Sequence, residues 1–322
     1  MRVLDAAQVR AAAPMAELLD AVEAAYRDVA TGRDRSPIRS RIPVGGGDLV
    51  LMPGVREGGA GASVKLVTVM PGNAVRGLPT IHAVVVWFDA ATGEPLALLD
   101  GAALTAMRTG AASGVGTRLL ARLDARVLAL FGVGAQATWQ VRAVMAARRI
   151  SEVRVYARTP ARREAFASAM GQELGPGVAV VASGSAEEAV RGADIVCCAT
   201  TSSAPIFSAG WIGPGTHVNA VGSFRLDMTE LPPELFGRAA LVAVDSREAA
   251  LEEAGELVAA IRGGVLAPDG FTQIGEIARE WAADRDPAAI TIFKSVGLAI
   301  QDLAAAELVM ANLPPAEASV AG

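Results

Sequence analysis

An apolar run, Val127-Leu-Ala-Leu-Phe131, passes directly into Gly132-Val-Gly134-Ala135-Gln136-Ala137, and a helical pattern over residues 138–147 follows. Strand, Gly-x-Gly-x-x-Ala turn and helix in that order open a parallel, dinucleotide-binding sheet. Gly132 permits the tight turn, Gly134 lets backbone approach a pyrophosphate, and Ala137 keeps helix and strand close. Ala135 and Gln136 lie in the same turn, where the ligand's charge meets the positive end of the helix dipole. A glycine-rich turn without a ligand is the bland alternative, and the position between strand and helix argues against it.

From residue 127 onward, short β-branched or apolar runs alternate with helical stretches, the pattern of an α/β, Rossmann-type doubly wound sheet. Strands are predicted at 127–130, 153–156, 178–181, 195–198, 217–221, 241–244 and 290–293. The preceding region differs, with a helix over 14–29, strands at 49–52, 63–69 and 82–89, and an Ala- and Gly-rich helix over 104–119. It reads as an α+β unit with antiparallel hairpins. A helical tail over 296–311 is expected to return to it. The resulting division is 1–117 with 297–322 as a discontinuous substrate-binding and dimerisation domain, and 118–296 as the dinucleotide-binding domain.

Composition narrows the partners. The chain has 322 residues and a net charge of −5, with no basic cluster interleaved with aromatics, so neither nucleic acid nor an anionic membrane surface is expected. The uncharged stretch 195–224 is interrupted by Pro205, Gly210, Gly213 and Pro214 and cannot be one membrane helix. Residues 1–20 lack the features of a signal peptide, so a cytoplasmic protein is expected. Cys197 and Cys198 are adjacent on an apolar run, point to opposite faces, and read as buried thiols rather than metal ligands. No metal is expected.

At the end of the second predicted strand, where an NAD-specific protein carries an acidic residue, the chain reads Ala157-Arg158-Thr159. Arg158 and Thr159, with Arg162 or Arg163, suit a 2′-phosphate, so NADPH is the expected cofactor.

Arg41, Lys65-Leu, Gly77-Leu-Pro-Thr80, Leu104-Thr-x-x-Arg108-Thr-x-x-x-Ser113, the glycine turn, Val218-Asn-Ala-Val-Gly-Ser223, Phe293-Lys-Ser-Val-Gly297 and Gln301-Asp302 stand in an order and spacing that resemble the ornithine cyclodeaminase and mu-crystallin family. The resemblance spans nearly the whole chain. It implies that Arg41, Lys65 and Arg108 hold a substrate carboxylate, with Lys65 a proton donor near the reacting nitrogen. It also implies cofactor contacts from Thr109, Ala199, Thr200, Thr201, Val221 and Ser223. His82, following Thr80 on a strand, is a candidate polar contact to substrate, whereas His217 reads as structural. One departure matters: where a cyclodeaminase carries an aspartate after the Gly-Ser, this chain has Phe224, and Asp227 is not an equivalent.

These features predict NADPH-dependent reduction of a cyclic ketimine acid to the L-amino acid by a homodimer. An open-chain amino-acid dehydrogenase, a reductase forming N-alkyl amino acids, a cyclodeaminase-like lyase and a non-catalytic NADPH- and ligand-binding protein are the rival readings.

Overall fold

Two sheets carry the fold in the computed structural model, which describes residues 1–277 and 280–314. The first holds β1 (Arg2–Leu4), β2 (Ser40–Val44), β3 (Gly47–Gly54), β4 (Gly61–Val69), β5 (Ile81–Asp89) and β6 (Pro95–Asp100), in the order β1-β6-β5-β4-β3-β2. Its pairings are antiparallel apart from β1 beside β6. The second holds β7 (Val127–Phe131), β8 (Glu152–Tyr156), β9 (Ala179–Ala182), β10 (Ile195–Cys198), β11 (His217–Ala220), β12 (Leu241–Val244), β13 (Thr272–Gln273) and β14 (Thr291–Lys294). It is parallel throughout, in the order β13-β12-β14-β11-β10-β7-β8-β9.

The seven strands read from sequence in the second sheet all form, each end within one residue of expectation. Only β13 escaped, because two residues carry no period. Its order reverses between β7 and β10, the switch point at which open α/β sheets bind ligands. The side chains of Cys197 and Cys198 are buried in different cores on opposite faces of this sheet.

Helix Gly101–Leu120 joins the sheets. Asp100 caps it by accepting from the Ala103 amide at 2.8 Å. It packs against β5 of the first sheet and against β11 and β14 of the second. Its glycines make this possible: a Cβ on Gly116 would stand 2.6 Å from Asn219 Oδ1 and Phe293 Cδ1, and one on Gly110 would stand 2.5 Å from the Trp139 carbonyl oxygen. Helix Ala299–Asn312 follows β14 and lies against β3, β4 and helix Met15–Ala30. Residues 315–322, expected to belong with the first sheet, lie outside the described residues.

The first sheet has two unlike faces, set by strand alternation. Val50, Met52, Lys65, Val67, Val85, Trp87, Ala97 and Leu99 point inward and are buried. Cross-strand partners on the other face include Ile42 with Leu49, Leu66 with Val84, and Val64 with Val86. Ile42, Leu66 and Val84 are exposed. No described helix is long and apolar enough to cross a membrane.

Candidate active site

Lys65 is on the inward face of β4, where it would be a solitary cation in apolar surroundings without a partner from elsewhere in the chain. Helix Ala299–Asn312 supplies one: Asp302 Oδ2 lies 2.6 Å from Lys65 Nζ, and Asp302 Oδ1 accepts from Arg108 Nε at 2.8 Å. Gln301, one residue earlier, accepts from Arg108 Nη1 at 2.9 Å and donates to the Tyr26 hydroxyl. Lys65 and Asp302 are buried and Arg108 is nearly so. Gly297, at φ +83°, brings backbone onto the guanidinium, since a Cβ there would stand 2.6 Å from Arg108 Nη1. Burying ions is costly unless they are paired, and here two cations share one carboxylate.

The electrostatics follow from that ratio. Burial pushes the Lys65 ammonium down to about 7, the charge of Arg108 adds to the effect, and Asp302 opposes it. Burial acts to raise the Asp302 carboxyl, but Arg108 and Lys65 outweigh it and hold the group below the usual carboxylate range.

Arg41 shares the inward face, since it pairs with Val50 across β2 and β3. Its guanidinium contacts Asp48 at 3.1 Å and stands 5.9 Å from the centre of the Phe224 ring. Arg41 and Phe224, with Arg225, Leu226, Asp227, Glu252 and Glu253, line a cavity of about 400 Å³. Arg39, two residues before Arg41, stands in a sequence segment with arginines at 33, 35, 39 and 41, which by composition alone resembles a solvated surface. It is instead largely buried, contacts Glu253 at 3.0 Å and donates to the carbonyls of Val296 and Gly297. Its charge also bears on Lys65. The spacing of two between Arg39 and Arg41 was the signal available in the sequence.

His82 corrects an expectation. It pairs with Thr68, while Lys65 pairs with Val85 three residues away, so alternation sends His82 to the other face, where it is exposed. Thr80 is half-buried at the entry to β5, its carbonyl accepting from the Met70 amide at 2.7 Å. His217 is buried between Thr291 and Asn219, and burial pushes its imidazole down to about 3, as suits a neutral structural residue.

On the cofactor side, Gly132 has φ +96°, and a Cβ there would stand 2.6 Å from the Ala199 carbonyl oxygen. Gly134 has open space where a side chain would be, it and Ala135 are exposed, and no side chain caps the helix that follows Gln136. That cradle fits a dinucleotide pyrophosphate. Arg158, Thr159 and Arg162 are exposed beyond β8, whereas Arg163 stands 5.7 Å from the Tyr156 ring centre and donates to the Ala157 carbonyl. Thr109 is half-buried, its carbonyl accepting from Gln140, and Ala199 and Val221 are half-buried at the ends of β10 and β11.

Thr200 and Ser223, expected at the cofactor, turn several of their polar groups inward. Both the amide and the hydroxyl of Thr200 donate to Glu230, at 2.6 and 2.8 Å. Ser223 is fully buried: its amide donates to Glu230, its hydroxyl donates to Glu256 and accepts from Lys294, and its carbonyl accepts from Lys294. These groups face into the protein and are engaged there, so neither residue offers them to a cofactor in this arrangement. The charged residues behind them were not singled out in the sequence.

The ornithine cyclodeaminase/mu-crystallin family model matches residues 1–316. The chain is 40% identical over 311 residues to a Δ1-pyrroline-2-carboxylate reductase of Bacillus cereus, covering 95% of each. Its structure is similar to that of Thermococcus litoralis Δ1-pyrroline-2-carboxylate reductase in complex with NADH and L-proline, with TM-score 0.90, 35% identity and 97% of both chains covered. It is also similar to an archaeal alanine dehydrogenase dimer with bound NAD, with TM-score 0.87, 34% identity, and coverage of 97% of this chain and 95% of that one.

Removing Asp302 leaves Lys65 and Arg108 buried without their shared counter-charge. Asp302→Ala is therefore expected to lower stability by about 3–5 kcal/mol, measured by denaturant unfolding. A loss no larger than the ~1 kcal/mol of an exposed ion pair would show that the cluster is not the buried charge system described.

Proposed function

Because the chain belongs to the ornithine cyclodeaminase/mu-crystallin family, we propose that it reduces a cyclic ketimine acid, Δ1-pyrroline-2-carboxylate or Δ1-piperideine-2-carboxylate, to L-proline or L-pipecolate. It is an oxidoreductase, and NADPH is the cofactor we assign to it. The carrying observation is the charge count at Lys65, Arg108 and Asp302: with Lys65 protonated, two buried cations and one carboxylate leave one positive charge uncompensated. A substrate carboxylate supplies the missing anion, and the guanidinium fork favours that partner over a neutral one.

A nicotinamide cofactor held by the glycine turn at Gly132 and Gly134 would supply the hydride. The chain's residues do the rest: Arg108 and Lys65 fix the carboxylate beside the imine carbon, Asp302 orients both, and Lys65 or a water it positions delivers the proton to the nitrogen. Arg41 closes the carboxylate side, and the Phe224 ring packs against ring methylenes. A phenyl group accepts no ammonium hydrogen bond, so a substrate with a distal amine would bury that charge unpaired. Ornithine cyclisation is disfavoured on that ground. Reduction of an open-chain imino acid uses the same clamp, and the likeness to an alanine dehydrogenase supports it as the second reading.

We further propose that the exposed apolar face of the first sheet, carrying Ile42, Leu66 and Val84, joins two copies of the chain. A similar structure is a dimer. Leu66→Glu with Val84→Glu is expected to halve the molar mass measured by light scattering; an unchanged mass would place any interface elsewhere.

Turnover tests the main reading. Oxidation of NADPH with either cyclic ketimine is expected, with no ammonia released from L-ornithine. Lys65→Ala and Arg108→Ala should each lower kcat/KM by about 2–5 kcal/mol and leave cofactor affinity largely unchanged. The protonated form of Lys65 supplies the proton, directly or through a water it positions, and is lost as pH rises through about 7, so kcat/KM for reduction should decline above that pH. With substrate bound, its carboxylate raises the ammonium pKa, so the decline in kcat should come at higher pH. In the same assay Arg158→Ala should narrow the preference for NADPH over NADH by about ten- to a hundredfold, the loss of one charged contact. Near-normal kcat/KM in either clamp variant, or equal use of both cofactors by the unmodified chain, would contradict the corresponding assignment.

A further inference from the structure

Glu230 is buried at the carboxyl ends of β10 and β11, on the segment that follows the loop carrying Phe224. Its two oxygens face different loops. Oε1 accepts from the amide and hydroxyl of Thr200, at 2.6 and 2.8 Å, in the loop after β10. Oε2 accepts from the amides of Gly222 and Ser223, at 2.7 and 3.1 Å, in the loop after β11. A side chain on Gly222 would collide with the Thr200 backbone and with Glu230 itself. The two loops are therefore held together by one carboxylate accepting four hydrogen bonds.

A second layer supports the first. Glu256 accepts from the Ser223 hydroxyl at 2.6 Å and from the Glu230 amide at 3.0 Å, and Lys294 of β14 contacts Glu256 at 3.1 Å. All three charged side chains are buried, a costly arrangement for residues with only a packing role.

We propose that Glu230 is a positioning residue for the nicotinamide half of the cofactor, fixing the gap between residues 199–201 and 221–223. The glycine turn after β7 takes the pyrophosphate, and β8 lies on the adenine side. The loops after β10 and β11, across the switch point, then receive the other half. This rests on the cofactor reading above. Only the ionised carboxylate accepts from both loops with all its lone pairs; a protonated one carries a donor facing amide donors.

Two charged neighbours act on Glu230, Glu256 from helix Gly255–Arg262 and Lys294 from β14, while the Cys197 and Cys198 thiols of β10, on opposite faces of the sheet, feel its charge and are kept protonated by burial. Burial pushes the Glu230 carboxyl up to about 7, with Glu256 adding and Lys294 opposing. Cofactor affinity is then tied to pH: the ionised form is present above about 7 and is lost as pH falls through it.

The test is the dissociation constant of NADH across this pH range, read from nicotinamide fluorescence; NADH has no 2′-phosphate to titrate. In the unmodified chain affinity is expected to weaken by about tenfold on the acid side, one lost charged hydrogen bond. Glu230→Gln should bind NADH about tenfold less tightly on the basic side, with the pH dependence gone. A purely structural role would leave that dependence in place even if the variant unfolds more easily. A flat profile in the unmodified chain overturns the proposal without any variant. An unchanged dissociation constant in Glu230→Gln overturns it alone, whereas no binding of NADH or NADPH by the unmodified chain overturns the cofactor reading with it.

Discussion

Asp302 is the residue on which the arrangement of the first sheet and its covering helices depends. It stands on the helix that follows the last strand of the second sheet, yet its carboxylate meets Lys65 from β4 and Arg108 from helix Gly101–Leu120. Three segments far apart in sequence are thus joined by one pair of oxygens. The same contact leaves a buried positive charge in excess when Lys65 is protonated, so what ties these three segments together also favours an anion beside them. On the proposed reading, stability and substrate recognition share one charge system, and replacing any member would alter both.

Glu230 repeats that logic on the other side of the crevice. There the excess is negative, with Glu230 and Glu256 against Lys294, and the acceptor sites are filled by backbone of the two loops. The positive cluster faces the first sheet and the negative one lies under the loops of the second. A dinucleotide bound at the glycine turn and a small acid bound at Lys65 would meet between them.

Much of this was legible in the sequence, for identifiable reasons. The central parallel strands β7, β10, β11, β12 and β14 are buried on both faces and read as apolar runs, whereas β8 and β9 at the edge are only half-buried and were legible through their valines. The helix Gly101–Leu120 announced its close packing through Gly110 and Gly116. The edge strands β1 and β2 did not announce themselves, being short, exposed or broken by Pro43. Within the site, residue type was easier to read than direction. Lys65 stood out as a charge among apolar neighbours, but His82 needed its register against Thr68 to be placed on the outer face. Asp302 meets Arg108 across 194 residues, and Glu230 and Glu256 reach Thr200 and Ser223 across 30 and 33, and a linear reading carries no such pairing. Thr200 and Ser223 stand beside the crevice as expected, with the groups that were to meet a cofactor turned inward to acids that could not be seen beforehand.

The most direct test of the carboxylate clamp is a crystal structure of the chain with oxidised NADP and L-proline bound together. A clamp built from Lys65 and Arg108 holds the proline carboxylate at hydrogen-bonding distance, about 2.7–3.2 Å, from the Arg108 guanidinium and the Lys65 ammonium, with the ring against Phe224. A carboxylate bound elsewhere in the crevice, with Lys65 and Arg108 contacting only Asp302, would contradict it.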